Sequence, residues 1–72
     1  GENKMYIYKN AIETERAFIL FKNIQHISWA KVSVNDYEVK IYSTAQVIIQ
    51  PMSDSDLASF LEHYKEHMGV TL

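Results

Sequence analysis

The chain contains no cysteine among its 72 residues, and this absence limits how so small a fold can be stabilised. Chains of this size bury a small core, and they commonly gain stability from disulfides, a structural metal or a partner subunit. Without cysteine, neither disulfides nor thiolate zinc sites can form. We therefore predict one small domain over residues 1–72 that associates with itself, with residues 1–4 disordered or derived from a tag.

The composition argues against two classes of partner. Seven Lys and Arg against nine Asp and Glu give a formal net charge of -2. Nucleic acid is not an expected partner, because binding to it requires several basic side chains that converge on phosphates. A membrane partner is not expected either, since the acidic pI of about 5.8 and the scattered lysines oppose binding to anionic lipid. No window approaches the roughly eighteen apolar residues of a spanning segment, and no signal-peptide pattern begins the chain. The predicted location is the cytoplasm.

The first fifty residues show strand patterns. Runs of aromatic and β-branched residues predict strands, and clusters of polar residues between them predict turns. The predicted strands are Met5–Ile12, Ala17–Phe21, Ile27–Val34, Tyr37–Tyr42 and Val47–Gln50. The first hairpin turn is predicted at residues 13–15. Pro51 has no N–H to donate and is expected to end the last strand.

The central hairpin offers a register that can be tested. Asn35 and Asp36 tolerate left-handed backbone angles, which predicts a two-residue turn. This turn gathers six apolar residues on one face, in the pairs Val34–Tyr37, Val32–Val39 and Ala30–Ile41. A three-residue loop over residues 43–45 then places Ile41 opposite Val47 and Val39 opposite Ile49.

A helix is predicted over residues 54–68, after the last strand. Ser53 is a suitable N-cap, Asp54 and Asp56 suit the positive end of the helix dipole, and Gly69 suits a left-handed C-terminal stop. One stripe of the helix is apolar, with Leu57, Phe60, Leu61, Tyr64 and Met68. The predicted fold class is α+β: a curled antiparallel β-meander of about five strands with this C-terminal helix on one face.

This order of elements resembles that of the bacterial pleckstrin-homology-like domains, small curled sheets that a C-terminal helix closes. The resemblance rests on FKNIQHI at residues 21–27, on the central hairpin and on VIIQPMSDSDLASFLEHY at residues 47–64. It covers most of the chain. It implies a binding or assembly scaffold that is often oligomeric and has no catalytic activity. An alternative that it also implies is a domain that binds a small ligand or a membrane surface.

The face of the sheet that the helix leaves uncovered is the predicted interface. The register places apolar and aromatic residues there with lysines nearby, namely Ile27, Trp29, Tyr42, Ile48, Lys31 and Lys40. Trp and Tyr are enriched at binding hot spots, and Trp29 directly opposite Tyr42 would stack across the strands. The alternative is that other segments fold over these residues and make them a second small core. The edge strands Met5–Tyr8 and Val47–Gln50 are further candidates, because unpaired strands accept an added strand.

The helix also carries two candidate metal ligands. His63 and His67 are four residues apart and could offer two imidazoles to zinc or nickel, with Glu62, Glu66 or His26 as further ligands. The alternative is that both are ordinary solvated or partly buried histidines. Ser53, Ser55 and Ser59 lie near His63, but no orienting carboxylate accompanies them. We therefore predict no enzyme and no cofactor, and expect an interaction module that forms a homo-oligomer and can also engage another protein.

Overall fold

Six strands and one α-helix follow one another along residues 4–69, the part of the chain that the computed structural model describes. The elements are β1 (Met5–Ile7), β2 (Ala11–Thr14), β3 (Phe18–Leu20), β4 (Ile24–Ser33), β5 (Asp36–Ser43), β6 (Val47–Ser53) and α1 (Asp54–Met68). A 3-10 turn over Phe21–Asn23 joins β3 to β4. The predicted α+β class and the C-terminal helix are confirmed.

The strands form two antiparallel sheets of three strands, and the prediction of one five-strand meander is wrong. The orders are β1-β2-β3 and β4-β5-β6, and no ladder among the described strands joins the two sheets. The sixth strand arises because the segment predicted as one strand, Met5–Ile12, folds back after Ile7. The Tyr8 N–H donates to the Ala11 carbonyl (2.8 Å) in this turn.

The next turn follows β2, later than the predicted turn at residues 13–15. Thr14 is the last residue of β2, and its hydroxyl oxygen accepts hydrogen bonds from the backbone N–H groups of Arg16 (3.1 Å) and Ala17 (3.2 Å). A threonine hydroxyl that satisfies two backbone donors stabilises such a turn. Glu13 therefore remains within the strand.

The predicted register of the β4–β5 hairpin is wrong. Ser33 pairs with Asp36 across a turn at residues 34–35, and a β-bulge between Lys31 and Ser33 shifts the rest of the ladder. The result is that Trp29 lies opposite Val39. The predicted partner of Val39, Val32, is 63% exposed. A register error of an odd number of residues exchanges the two faces of a strand, so the prediction assigned the β4 side chains to the wrong faces of the sheet.

The β5–β6 connection is also shorter than predicted. Ile41 lies opposite Ile48, and the Ser43 N–H donates to the Gln46 carbonyl at 2.9 Å. This leaves a two-residue turn, which the Ser43 side chain stabilises by donating to the same carbonyl at 2.8 Å. Pro51 does not end β6, which continues to Ser53. Proline is tolerated there because β6 is an edge strand and the proline nitrogen faces away from β5.

The core lies between the two sheets and under the helix. Its fully buried side chains include Ile12 and Phe21 from the first half of the chain, Val39 and Ile41 from β5, and Phe60 from α1. The helix packs against β5, β6, β1 and the 3-10 turn. Its predicted ends are confirmed, because the Ser53 hydroxyl accepts from the Asp56 N–H (3.2 Å) and Gly69 adopts a left-handed φ of 76°.

Candidate interaction surfaces

The β4–β5 hairpin end is the most exposed part of the strand framework. Every residue from Trp29 to Asp36 is exposed. Trp29 is 49% exposed, and Val32 and Val34 reach 63% and 76%. Large apolar side chains that stay in water close together, here at the end of β4 and in the turn that follows it, mark a surface suited to a partner.

The six residues of the predicted interface do not share one surface. Ile27, Trp29 and Lys31 lie on the inner face of the β4–β6 sheet, the face that carries Val39 and Ile41. Ile48 is on this face too, but it is 5% exposed and belongs to the core. It cannot contact a partner in this fold.

Tyr42 and Lys40 lie on the opposite, outer face. Tyr42 pairs with His26, and their rings are 5.3 Å apart between centroids. Lys40 pairs with Ser28 on one side and with Ile49 on the other. The predicted stacking of Trp29 on Tyr42 is therefore wrong. The register slip separates the two aromatic residues.

The backbone of β4 has a free edge that can be assigned residue by residue. In an antiparallel ladder, the N–H and C=O of one residue point to the same side, and this side alternates along the strand. The Ser43 N–H bonds to Gln46, the residue just before β6, so by alternation Val39 and Ile41 direct their backbone groups to β6. Their β4 partners, Trp29 and Ile27, then direct their backbone groups away from β5.

The edge strands of the fold differ in how well they are protected. β1 and β6, predicted as edges, are edge strands of their sheets. On β6, Pro51 offers no N–H, and Glu15 and Arg16 of the β2–β3 turn line a cavity of about 120 Å³ together with Ile49 and Pro51. β1 has three residues, whereas β4 has ten. β4 thus presents the longest free edge among the described strands.

An aromatic patch on the first sheet was missed at the sequence level. Tyr6, Glu13 and Phe18 lie in one row across β1, β2 and β3, and Tyr6 and Phe18 are 59% and 58% exposed. Tyr8 packs against Phe18 at 5.9 Å between ring centroids, and its hydroxyl donates to Glu13 Oε1 at 2.7 Å. The alternation of Tyr6 and Tyr8 was a visible signal, but the position of Phe18 beside them depends on the strand pairing.

The Tyr8–Glu13 contact predicts a measurable pH effect. Accepting this hydrogen bond, the Glu13 carboxylate raises the pKa of Tyr8, with smaller contributions from burial and from the negative charge of Glu13. Because the folded pKa is raised, the contact stabilises the fold below the ordinary tyrosine pKa and is lost as the pH rises through the raised pKa. Glu13→Gln is expected to lower the pKa of Tyr8, followed by NMR of its ring. An unchanged pKa in this variant would contradict the assignment.

The two candidate metal ligands line one groove on α1. His63, His67, Glu66 and Lys9 surround a space of about 420 Å³. One ring nitrogen of His63, Nδ1, donates to the Ser59 carbonyl at 2.8 Å, and the His67 ring packs edge-on against Phe21. Within residues 4–69, no group of three or more His, Cys, Asp or Glu is arranged to hold a metal ion.

A serine nucleophile is not formed in this region. His63 contacts the backbone carbonyl of Ser59, and the Ser53 hydroxyl is used as the helix cap, where it also lies 3.2 Å from the Ser55 hydroxyl. A nucleophile requires a base within hydrogen-bond reach of its own hydroxyl. These contacts do not provide one.

Comparisons with protein-family models, with curated proteins and with solved structures found no match for this chain. In the part of the chain that the structure describes, no helix combines the length and the apolar character needed to cross a membrane.

Proposed function

We propose that this chain is a non-enzymatic interaction module that self-associates through the free edge of β4, with Trp29 at the centre of the contact. The observation that carries the proposal is the position of Trp29. Its side chain is half exposed, and its backbone groups point out of the sheet. A second strand placed there would satisfy the backbone and cover the indole at the same time.

Three physical arguments support this function. Tryptophan is the residue type most enriched at binding hot spots. A strand edge binds through main-chain hydrogen bonds and gains specificity from the side chains beside it. A chain of 72 residues without cysteine also has a small core, and covering apolar surface in an oligomer adds stability that the core alone does not supply.

The expected partner is a second copy, and the same edge can accept an extended segment of another protein. We place this module in the cytoplasm, which the lack of cysteine fits. The element order that resembles pleckstrin-homology-like domains agrees with a role as an assembly scaffold without catalysis.

Light scattering over about a hundredfold range of concentration tests the proposal, with Trp29 fluorescence recorded on the same samples. The expected result is a mass of twice 8.4 kDa at the higher concentrations, with blue-shifted emission. Dilution is expected to lower the mass and shift the emission to the red together. A monomer with red-shifted emission at every concentration would overturn self-association.

The groove on α1 supports a second candidate function, the binding of a small anion. Lys9 lines this groove together with His63 and His67 and contributes a positive charge to it, while the negative charge of Glu66 opposes an anion there. We expect inorganic phosphate to shift the NMR signals of these residues and Lys9→Ala to abolish the shift. Zinc is the comparison ligand: a rise in melting temperature with zinc that is lost in His67→Ala would favour the metal site instead. If neither ligand has an effect, this candidate is excluded.

A further inference from the structure

We infer that two copies of the chain pair β4 to β4, antiparallel, around a two-fold axis at Trp29, forming one continuous six-stranded sheet. The strand order is β6-β5-β4 in one copy, followed by β4-β5-β6 in the other. This inference rests on the proposed function and specifies its geometry. It is carried by the free backbone groups of β4, its two bulges and its single charged side chain.

The bulges define how much of the edge can pair. The β4–β5 ladder is irregular between Ile24 and His26 and again between Lys31 and Ser33. A bulge bends its strand and interrupts a regular ladder. Between the two bulges, the residues that point their backbone groups outward are Ile27, Trp29 and Lys31. A regular partner strand therefore has three residues to bond.

The outward-pointing residues also select the register. In a symmetric antiparallel pair, an outward residue of one copy must bond to an outward residue of the other. An axis at Trp29 places Trp29 opposite its own copy and Ile27 opposite Lys31, so all three residues are bonded. A two-fold axis at Ser28 would instead pair Lys31 with Gln25, which lies at the first bulge. An axis at Ala30 would pair Ile27 with Ser33, which lies beyond the second bulge.

Charge excludes a further alternative. An axis at Lys31 would place two ammonium groups directly opposite each other, which is destabilising. With the axis at Trp29, the two Lys31 residues are four positions apart along the strands, about 14 Å. This exceeds the screening length of about 8 Å at physiological salt. Each lysine stem then lies beside Ile27 of the second copy, and β4 carries no other Lys, Arg, Asp or Glu.

The pairing also limits the assembly to two copies. It covers the longest free edge of each copy, and the edge that remains on this sheet, β6, contains Pro51 beside the β2–β3 turn. A proline and a covering turn both oppose the addition of a further strand. The expected product is therefore a dimer and not an open-ended polymer.

Cysteine cross-linking tests the register, because the chain has no native cysteine to interfere. With the axis at Trp29, Ser28 lies opposite Ala30 of the second copy in a non-hydrogen-bonded pair, whose Cα atoms are about 4.5 Å apart. This distance suits a disulfide. The Ser28 Cα atoms of the two copies would be about 8 Å apart, as would those of Ala30, which is too far for a disulfide.

The experiment mixes Ser28→Cys and Ala30→Cys chains, each first checked for native circular dichroism, and oxidises them mildly. We expect mass spectrometry to show the mixed disulfide dimer, with little homodimer when either variant is oxidised alone. Exciton-coupled circular dichroism from two adjacent indoles is the second expected signal, and it requires no variant.

Each other outcome has a distinct meaning. Cross-linking of Ala30→Cys alone would move the axis to Ala30, and cross-linking of Ser28→Cys alone would move it to Ser28; either result overturns the axis at Trp29. A wild-type dimer by light scattering with no cross-link and no exciton signal would overturn β4 pairing but leave self-association standing. A monomer at every concentration would overturn both proposals.

Discussion

Trp29→Ala is expected to convert the dimer into a monomer of 8.4 kDa at concentrations where the wild-type chain is dimeric. Trp29 is half exposed in the single chain, so its removal leaves the buried core intact. Truncation of a hot-spot side chain costs about 2 kcal/mol or more of binding free energy. The dissociation constant is therefore expected to rise by about thirtyfold or more, as measured by light scattering or sedimentation.

Two control variants separate this effect from a general loss of surface hydrophobicity. Phe18→Ala removes an aromatic side chain that is 58% exposed, compared with 49% for Trp29, but it lies on the other sheet. Tyr42→Ala removes an aromatic from the outer face of the β4–β6 sheet. We expect both variants to remain dimeric. If Phe18→Ala dissociates the dimer and Trp29→Ala does not, the interface lies on the aromatic patch and the β4 proposal is wrong.

The helix could be predicted because its signals are local. Ser53 satisfies a backbone donor three residues away, and Gly69 alone supplies the left-handed angle at the C-terminus. These requirements act over a few residues and do not depend on the rest of the fold. The fold class followed from the same kind of evidence, since the strand patterns precede the helix pattern along the chain.

The strand registers could not be predicted because the same turn residues are compatible with more than one register. Asn35 can form a two-residue turn either with Val34, as in the structure, or with Asp36, as predicted. The choice depends on which β4 residues face Val39 and Ile41, and in the structure these are Trp29 and Ile27. The bulge after Lys31 has no sequence signature of its own. Because the side-chain period is two, an error of three residues exchanged the faces and wrongly joined Trp29 to Tyr42.

The candidate site was therefore only partly accessible from the sequence. Trp29, Ile27 and Lys31 were identified as a group because residue type and alternation are visible without a structure. Ile48 was misplaced, since its burial depends on the two-residue turn at residues 44–45. The identity of β4 as the longest free edge was also inaccessible, because it requires knowing that the strands divide into two sheets.

Phe60→Ala is expected to give a large loss of stability. Phe60 is 0% exposed, and its ring lies 6.1 Å from that of Phe21 and 6.4 Å from that of Tyr64, between centroids. Replacing a buried phenylalanine by alanine costs about 3–5 kcal/mol, against a total stability of about 5–15 kcal/mol for a domain. We expect the melting temperature to fall by about 12 °C or more, measured by circular dichroism.

The effect is expected to be global because Phe60 and Phe21 connect parts of the fold that no backbone ladder joins. Phe21 lies between the two sheets along the chain, and among residues 4–69 the sheets share the core but no hydrogen-bonded strand pair. Trp29 fluorescence and helical circular dichroism should therefore report one coincident transition, at a lower temperature than in the wild type. Met68→Ala, at a side chain that is 53% exposed on the same helix, should change stability by less than about 0.5 kcal/mol. Separate transitions in Phe60→Ala would show that the β4–β6 sheet is stable without the helix, contrary to this prediction.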